Sequence, residues 1–279
     1  MADQTFSFEL FPPKTEAGMD KLKAAVTELN AVEPAYFSVT YGAGGSTQAR
    51  TYATVDWLRD QGIDTAPHLS CIGSDRNEIL DILNRYKNQG IHRVVALRGD
   101  LPSGAGLGSL SELRHANELV ALIRADLGDA FHIEVAAYPE MHPQAANIDV
   151  DLKNFQRKVE AGANGAITQY FYNADAYFDF VERCEKSGIS IPIIPGIMPI
   201  TNYSSLARFS EACGAEIPRW IRKRLEAYGD DIASIRAFGE DVVTAMCERL
   251  LAGGAPGLHF YTMNQAGPTL AIWRRLGLS

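Results

Sequence analysis

The chain has no apolar run near the roughly 18 residues that a membrane-spanning helix needs, so no transmembrane segment is expected. Its first residues, Met1-Ala2-Asp3-Gln4, hold neither a positive region nor a long apolar stretch, and no signal peptide is read there. Cysteine is scarce. Cys71, Cys184, Cys213 and Cys247 stand far apart with no C-x-x-C pair, which fits reduced thiols in a cytoplasmic protein better than a disulfide framework or a zinc site. Long basic blocks are absent too, and a net charge of −8 argues against nucleic acid or an anionic membrane surface as the main partner. Arg219, Arg222, Lys223 and Arg224 read as a helix surface. The six histidines show no metal-ligand spacing, so no metal is expected. No Pro/Ser linker or low-complexity tract interrupts the chain, and residues 1–279 read as one domain.

What is there is a repeated alternation. Eight short strand-like runs are expected at residues 6–11, 35–40, 65–70, 94–97, 133–137, 166–169, 191–195 and 258–261. Amphipathic helical stretches follow nearly all of them: residues 16–31, 47–61, 76–89, 110–126, 150–161, 174–186 and 268–276. Three more helices, near residues 204–212, 219–227 and 232–251, fall between strands seven and eight. With 46% hydrophobic residues, the chain has the material for a large core. Eight β-then-α units predict a (β/α)8 TIM barrel of the α/β class, with an open doubly wound sheet as the alternative.

In such a barrel the carboxyl ends of the strands carry the chemistry. Strand one, Phe6-Ser7-Phe8-Glu9-Leu10-Phe11, puts Ser7 and Glu9 on one face and the bulky residues on the other, which turns Glu9 inward. Desolvation there favours the protonated carboxyl, the state that a general acid needs. A structural Glu–Arg pair is an equal alternative for that residue. After strand two, Gly42-Ala43-Gly44-Gly45 lets backbone approach a ligand, but the spacing matches no phosphate-loop motif. Strand three ends at His68, more often a hydrogen-bonded core residue than a ligand. Strand four ends Arg98-Gly99-Asp100, read as one wall of a site or as a simple ion pair. Strand five leads into Tyr138-Pro139-Glu140-Met141-His142-Pro143, a stiff polar rim, and Asp151, Asn154 and Lys158 share one side of the next helix. Gln169, ending strand six, offers donor and acceptor to a flat amide edge.

Taken together, Phe8-Glu9-Leu10-Phe11-Pro12-Pro13-Lys14, Val39-Thr40-Tyr41-Gly42-Ala43-Gly44-Gly45-Ser46, Pro67-His68-Leu69, Leu97-Arg98-Gly99-Asp100, Ala137-Tyr138-Pro139-Glu140, Ala166-Ile167-Thr168-Gln169 and His259-Phe260-Tyr261-Thr262-Met263-Asn264 resemble the methylenetetrahydrofolate reductase family. The resemblance runs nearly the length of the chain. It implies a (β/α)8 barrel with FAD at the strand ends, NADH or NADPH as hydride donor and 5,10-methylenetetrahydrofolate as acceptor. By that resemblance Glu9 matches the catalytic acid that protonates N10 of the bridged folate, and Asp100 a carboxylate beside both flavin and pterin. Thr40, Tyr41, Ala43, His68, Arg98, Gly99, Asp100, Tyr138, His142, Asp151, Asn154, Arg157 and Lys158 match FAD-contacting positions, as do His115 and Ala116. Gln169 matches a residue that meets nicotinamide and folate in turn, and Phe209 one that stacks on either.

Two positions depart from the shorter bacterial relatives, which carry Gln where this chain has Ser205 and Arg where it has Gln265. Both lie on the folate side. The resemblance also implies a homo-oligomer and, with the chain ending at Ser279, none of the adenosylmethionine feedback of eukaryotic relatives. Other classes are weighed against this one. A barrel lyase or aldolase acting on a phosphorylated metabolite would want a Schiff-base Lys or metal ligands at the strand ends, and Lys14 lies beyond strand one. A flavin-free folate reductase and an idle flavin-binding protein complete the list.

Overall fold

A computed structural model describes residues 4–41, 45–99 and 112–278, with residues 45–47 described in backbone only. The chain opens with β1 (Thr5–Leu10), α1 (Glu16–Asn30), β2 (Tyr36–Val39), α2 (Gly45–Asp60), β3 (Thr65–Ser70), α3 (Arg76–Asn88) and β4 (Arg93–Leu97). Then come α4 (Ala116–Leu127), β5 (His132–Ala137), α5 (Ile148–Glu160), β6 (Gly165–Thr168), α6 (Ala174–Lys186), β7 (Ile193–Ile194) and β8 (Gly196–Ile197). Three helices follow without a strand between them, α7 (Tyr203–Cys213), α8 (Arg219–Tyr228) and α9 (Ile232–Ala252). Strand β9 (Gly257–Tyr261) and helix α10 (Ala266–Arg275) finish the fold.

The strands form one parallel sheet in the order β7-β6-β5-β4-β3-β2-β1-β9-β8. Its two ends are halves of a single stave, with β7 on β6 and β8 on β9, so the sheet closes into the expected barrel rather than an open doubly wound sheet. Stave seven was expected over residues 191–195, ending at Pro195; instead Pro195 divides it, and pairing resumes at Gly196–Ile197. Proline has no N–H for the ladder. At the break Gly196 N–H donates instead to Thr168 Oγ1 at 2.9 Å, while the Tyr261 hydroxyl donates to the Thr168 carbonyl at 2.7 Å. A Cβ on Gly196 would lie 2.2 Å from that carbonyl and 2.6 Å from the Tyr261 ring, so only glycine fits the seam.

Helix boundaries follow local chemistry. Thr15 caps α1 by accepting from Gly18 N–H, and Leu22, Ala25, Val26 and Leu29 form its buried stripe. Asp75 and Glu78 make a reciprocal capping box on α3, and Asn202 caps α7. Two expectations are corrected. The helix expected from residue 110 begins at Ala116, because His115 is its extended N-cap. Helix α2 begins at Gly45, two residues before the expected start at 47.

Period-two alternation sorts β1 as the sequence implied. Phe8 and Leu10 are buried in the layer between sheet and helices, with Phe8 packed on Phe37, Phe260 and Trp273. Inside the barrel a smaller apolar cluster joins Tyr36, Ala66, Val95 and Ile167, with Leu97 against it. The amino-terminal end of the barrel is plugged by polar groups. Glu134 accepts from Arg93 at 2.5 Å and faces His132 Nε2 at 3.0 Å, and the Arg93 guanidinium lies 4.6 Å from the Tyr36 ring centroid. Gly165 leaves the room that Glu134 occupies, since a Cβ there would lie 2.4 Å from Oε2.

Candidate active site

At the other end the staves converge on a cavity of about 150 Å³. Glu9, His68, Tyr138, Gln169 and Tyr261 supply its polar wall, over a floor of Val95, Leu97, Ala136 and Ile167. Four of those polar residues are sequence-predicted site residues, brought together from β1, β3 and the ends of β5 and β6. Tyr261 was not singled out.

Glu9 points inward, and two imidazoles face its carboxylate. His68 Nε2 approaches Glu9 Oε2 at 3.5 Å and His259 Nε2 approaches the same oxygen at 3.8 Å. His68 is buried, and desolvation depresses its basicity, against the pull of the Glu9 carboxylate. His259 is fully buried, with Ser7 Oγ 2.7 Å from its Nδ1 and Ser38 Oγ 3.5 Å from its Nε2. Neither Ser7 nor His259 was assigned to the site from sequence. The signal that finds them is the same alternation that turned Glu9 inward, applied to β9, where His259 and Tyr261 share a face.

The backbone of β1 is clamped where it leaves the barrel. Thr262 Oγ1 donates to the Glu9 carbonyl at 2.6 Å, and the Asn264 side chain both accepts from Phe11 N–H at 3.0 Å and donates to the Phe11 carbonyl at 2.8 Å. Met263 and Asn264 reach that position with φ of 51° and 55°, a left-handed conformation that asparagine tolerates and methionine rarely adopts.

Around the mouth, the predicted cofactor side chains form a cationic and polar arc. Lys158 reaches from α5 to donate to the Ala136 carbonyl, and burial lowers its pKa to about 8. Asp151, on the same helix face, accepts from His142 N–H at 2.8 Å and so fixes the β5 loop, in which the Tyr138 and His142 rings meet edge-on at 4.5 Å. Arg98 donates to Gln144 at 2.5 Å. The Tyr41 hydroxyl accepts from Gln48 at 2.9 Å, and Thr40 ties β2 to β1 through its N–H on the Leu10 carbonyl. Gln169 Oε1 is held by Tyr170 N–H at 3.0 Å, which leaves its amide nitrogen directed elsewhere.

Other predicted residues stand outside this cavity. Asn154 and Arg157 are exposed and bonded to each other at 3.1 Å, and His115 and Ala116 sit at the start of α4. Phe209 is 41% exposed on α7 with the Arg208 guanidinium 5.7 Å from its ring, and Gln265 is an exposed N-cap of α10. Gly99 closes the described part of the β4 exit, and Asp100 and Ala43 lie outside the described residues. No helix among the described residues is long and apolar enough to cross a membrane.

Comparison with known proteins gives a consistent likeness. The family model described as methylenetetrahydrofolate reductase matches residues 1–277. The 5,10-methylenetetrahydrofolate reductase of Escherichia coli (strain K12) is 39% identical over 273 residues, which cover 98% of this chain and 90% of that protein. A counterpart of the same name from Buchnera aphidicola subsp. Acyrthosiphon pisum is 40% identical over 276 residues, covering 98% and 91%. The probable methylenetetrahydrofolate reductase (NADH) of Oryza sativa subsp. japonica is 40% identical over 285 residues, but the match spans 48% of its length. Among solved structures, an uncharacterised Clostridium thermocellum protein that binds two copies of 5-methyl-5,6,7,8-tetrahydrofolic acid superposes with a TM-score of 0.67 at 17% identity, covering 98% of this chain and 96% of that one. That likeness is one of fold.

Proposed function

The chain belongs to the methylenetetrahydrofolate reductase family, and from that membership we propose that it reduces 5,10-methylenetetrahydrofolate to 5-methyltetrahydrofolate, with FAD as hydride carrier and NADH or NADPH as donor. The observation that carries the mechanism is the inward carboxyl of Glu9, at the wall of the strand-end cavity, where a flat ligand would lie against it.

The residues present suit FAD. Its diphosphate would meet Arg98, just past the end of β4, and Lys158 of α5, and its ring edge would meet His68, whose buried Nε2 has no hydrogen-bond partner among the described residues. Thr40, Tyr41, Gly99, His115, Ala116, Tyr138, His142, Asp151, Asn154 and Arg157 would complete the hold on the cofactor, with Ala43 and Asp100. FAD, when bound, supplies a two-electron carrier that takes hydride from nicotinamide and yields it to the folate methylene.

The protein's own part is positioning and proton transfer. Glu9 gives a proton to N10 of the bridged folate, which opens the five-membered ring to an iminium able to accept hydride. Asp100 hydrogen-bonds the pterin and favours the developing cation. Gln169 meets nicotinamide and then folate in the same space, Phe209 closes over either ring, and Gln265 lies toward the glutamate tail. One space for two flat ligands makes the reaction ping-pong. The rice relative is named for NADH, which favours NADH as the donor here.

The test is the absorbance spectrum of the purified protein, followed by anaerobic mixing with NADH and then with folate. Flavin absorbance that bleaches with nicotinamide and returns with folate supports the reading. A colourless protein that gains no flavin absorbance on addition of FAD overturns it.

A further inference from the structure

The proposed chemistry assigns Glu9 a proton but does not say which oxygen carries it, and the strand that closes the barrel bears on that choice. His259 and Ser7 are both completely buried and lie side by side on β9 and β1, which pair in register at these two positions. Ser7 Oγ stands 2.7 Å from Nδ1 of His259, within ordinary hydrogen-bond distance. A serine hydroxyl that donates to Nδ1 leaves the imidazole proton on Nε2. That nitrogen faces Glu9 Oε2 at 3.8 Å and Ser38 Oγ at 3.5 Å. The Tyr36 ring lies roughly parallel to it with centroids 6.3 Å apart, and the Tyr261 ring meets it edge-on at 5.4 Å. His68 makes its nearest approach to the same carboxylate oxygen.

We propose that His259 is a positioning residue for Glu9: Ser7 fixes its tautomer, its Nε2–H is directed onto Oε2, and Oε1 is thereby left as the oxygen that carries the transferable proton. This rests on the folate-reducing function proposed above. In the step itself the Glu9 Oε1–H bond breaks and the N10–H bond of the folate forms. The electron pair of the broken bond stays on the carboxylate, where the Nε2–H faces the charge, and solvent returns the proton before the next turnover. The charged and titratable groups facing the His259 ring are Glu9 from β1, Tyr36 from β2, His68 from β3 and Tyr261 from its own strand. Among the described residues Glu9 is the carboxylate that faces this nitrogen, with the Ser38 hydroxyl beside it.

The experiment separates the two half-reactions by stopped flow in wild type, Ser7→Ala, His259→Leu and His259→Gln, each checked for bound flavin. The expected result is that His259→Leu slows folate-dependent flavin reoxidation by about 100-fold, within the 10- to 100-fold span usual for lost supporting partners, while NADH-dependent bleaching stays within about twofold. His259→Gln, which keeps an N–H donor, should recover most of the loss, and Ser7→Ala should slow reoxidation by roughly tenfold. Equal loss of both half-reactions, or reoxidation unaffected in Ser7→Ala, overturns the proposal. If His259→Leu does not hold flavin, Ser7→Ala and His259→Gln decide it by the same criteria. Wild-type protein that shows no flavin cycle overturns the functional reading and this inference with it, an outcome distinct from an active wild type with indifferent variants.

Discussion

Arg93 Nη1 lies 2.5 Å from Glu134 Oε1 at the amino-terminal end of the barrel, on adjoining staves whose first residues pair in register. Only 2% of the Glu134 side chain is exposed, and its Oε2 has no hydrogen-bond partner among the described residues. The pair thus holds a buried charge directly beneath the apolar floor of the cavity.

Removing one partner should therefore cost more than removing both. Arg93→Ala leaves the buried carboxylate with only the His132 imidazole beside it and is expected to lower stability by about 3–5 kcal/mol, whereas Arg93→Met with Glu134→Leu should recover much of that loss. Urea denaturation of the two single variants and the double variant measures the coupling. Additive losses would refute it.

Gly196→Ala is expected to destabilise the barrel by about 2–4 kcal/mol, since the added methyl meets the Thr168 carbonyl and the Tyr261 ring with nowhere to retreat. Thermal melting checks this. The same change at Gly267, where a Cβ meets nothing within 4 Å, serves as the control and should shift the midpoint little.

Glu9→Gln should leave NADH-dependent bleaching of the flavin intact and abolish folate-dependent reoxidation, with a loss of at least about 100-fold in the second half-reaction. Single-turnover mixing of each half separates the outcomes. Equal loss in both would remove Glu9 from the acid role.

Lys158 carries a pH signature. Burial lowers its pKa to about 8 in the fold, from an ordinary 10.5, so between those values the unfolded chain binds a proton that the folded chain does not. Apoprotein stability due to this residue is lowest below pH 8 and rises as pH climbs toward 10.5. Lys158→Met should abolish that rise while weakening flavin binding. Urea melts at pH 7 and pH 9.5 compare the two proteins, and a parallel pH response would count against a desolvated ammonium.

Much of this was legible in the sequence because barrels write themselves as period-two runs followed by period-3.6 runs, and strand β3 and helix α6 were located to the residue. The inward turn of Glu9 came from the same alternation. Pro195 reads locally as the end of a strand, because local pattern cannot show a chain that stops pairing with one neighbour and resumes with another. His259 and Ser7 escaped notice for a related reason. They are distant in sequence, and their meeting depends on the closure of β1 on β9, which no local window contains. Arg157, Phe209 and Gln265 rest on resemblance alone and Asn154 on that and its helical spacing with Asp151 and Lys158, and nothing in their packing marks these four apart from other exposed side chains.

The divided seventh stave has a dynamic consequence. A wall missing ladder bonds along one line yields there first, and the three helices that follow Ile197 are suspended from that line. Amide exchange should be fastest among the staves at Ile193–Ile194 and Gly196–Ile197, and breathing of this seam would slacken α7 with its outward Phe209 while the opposite staves stay taut. Loading and unloading of a ligand would then draw on the mechanical weakness of one proline.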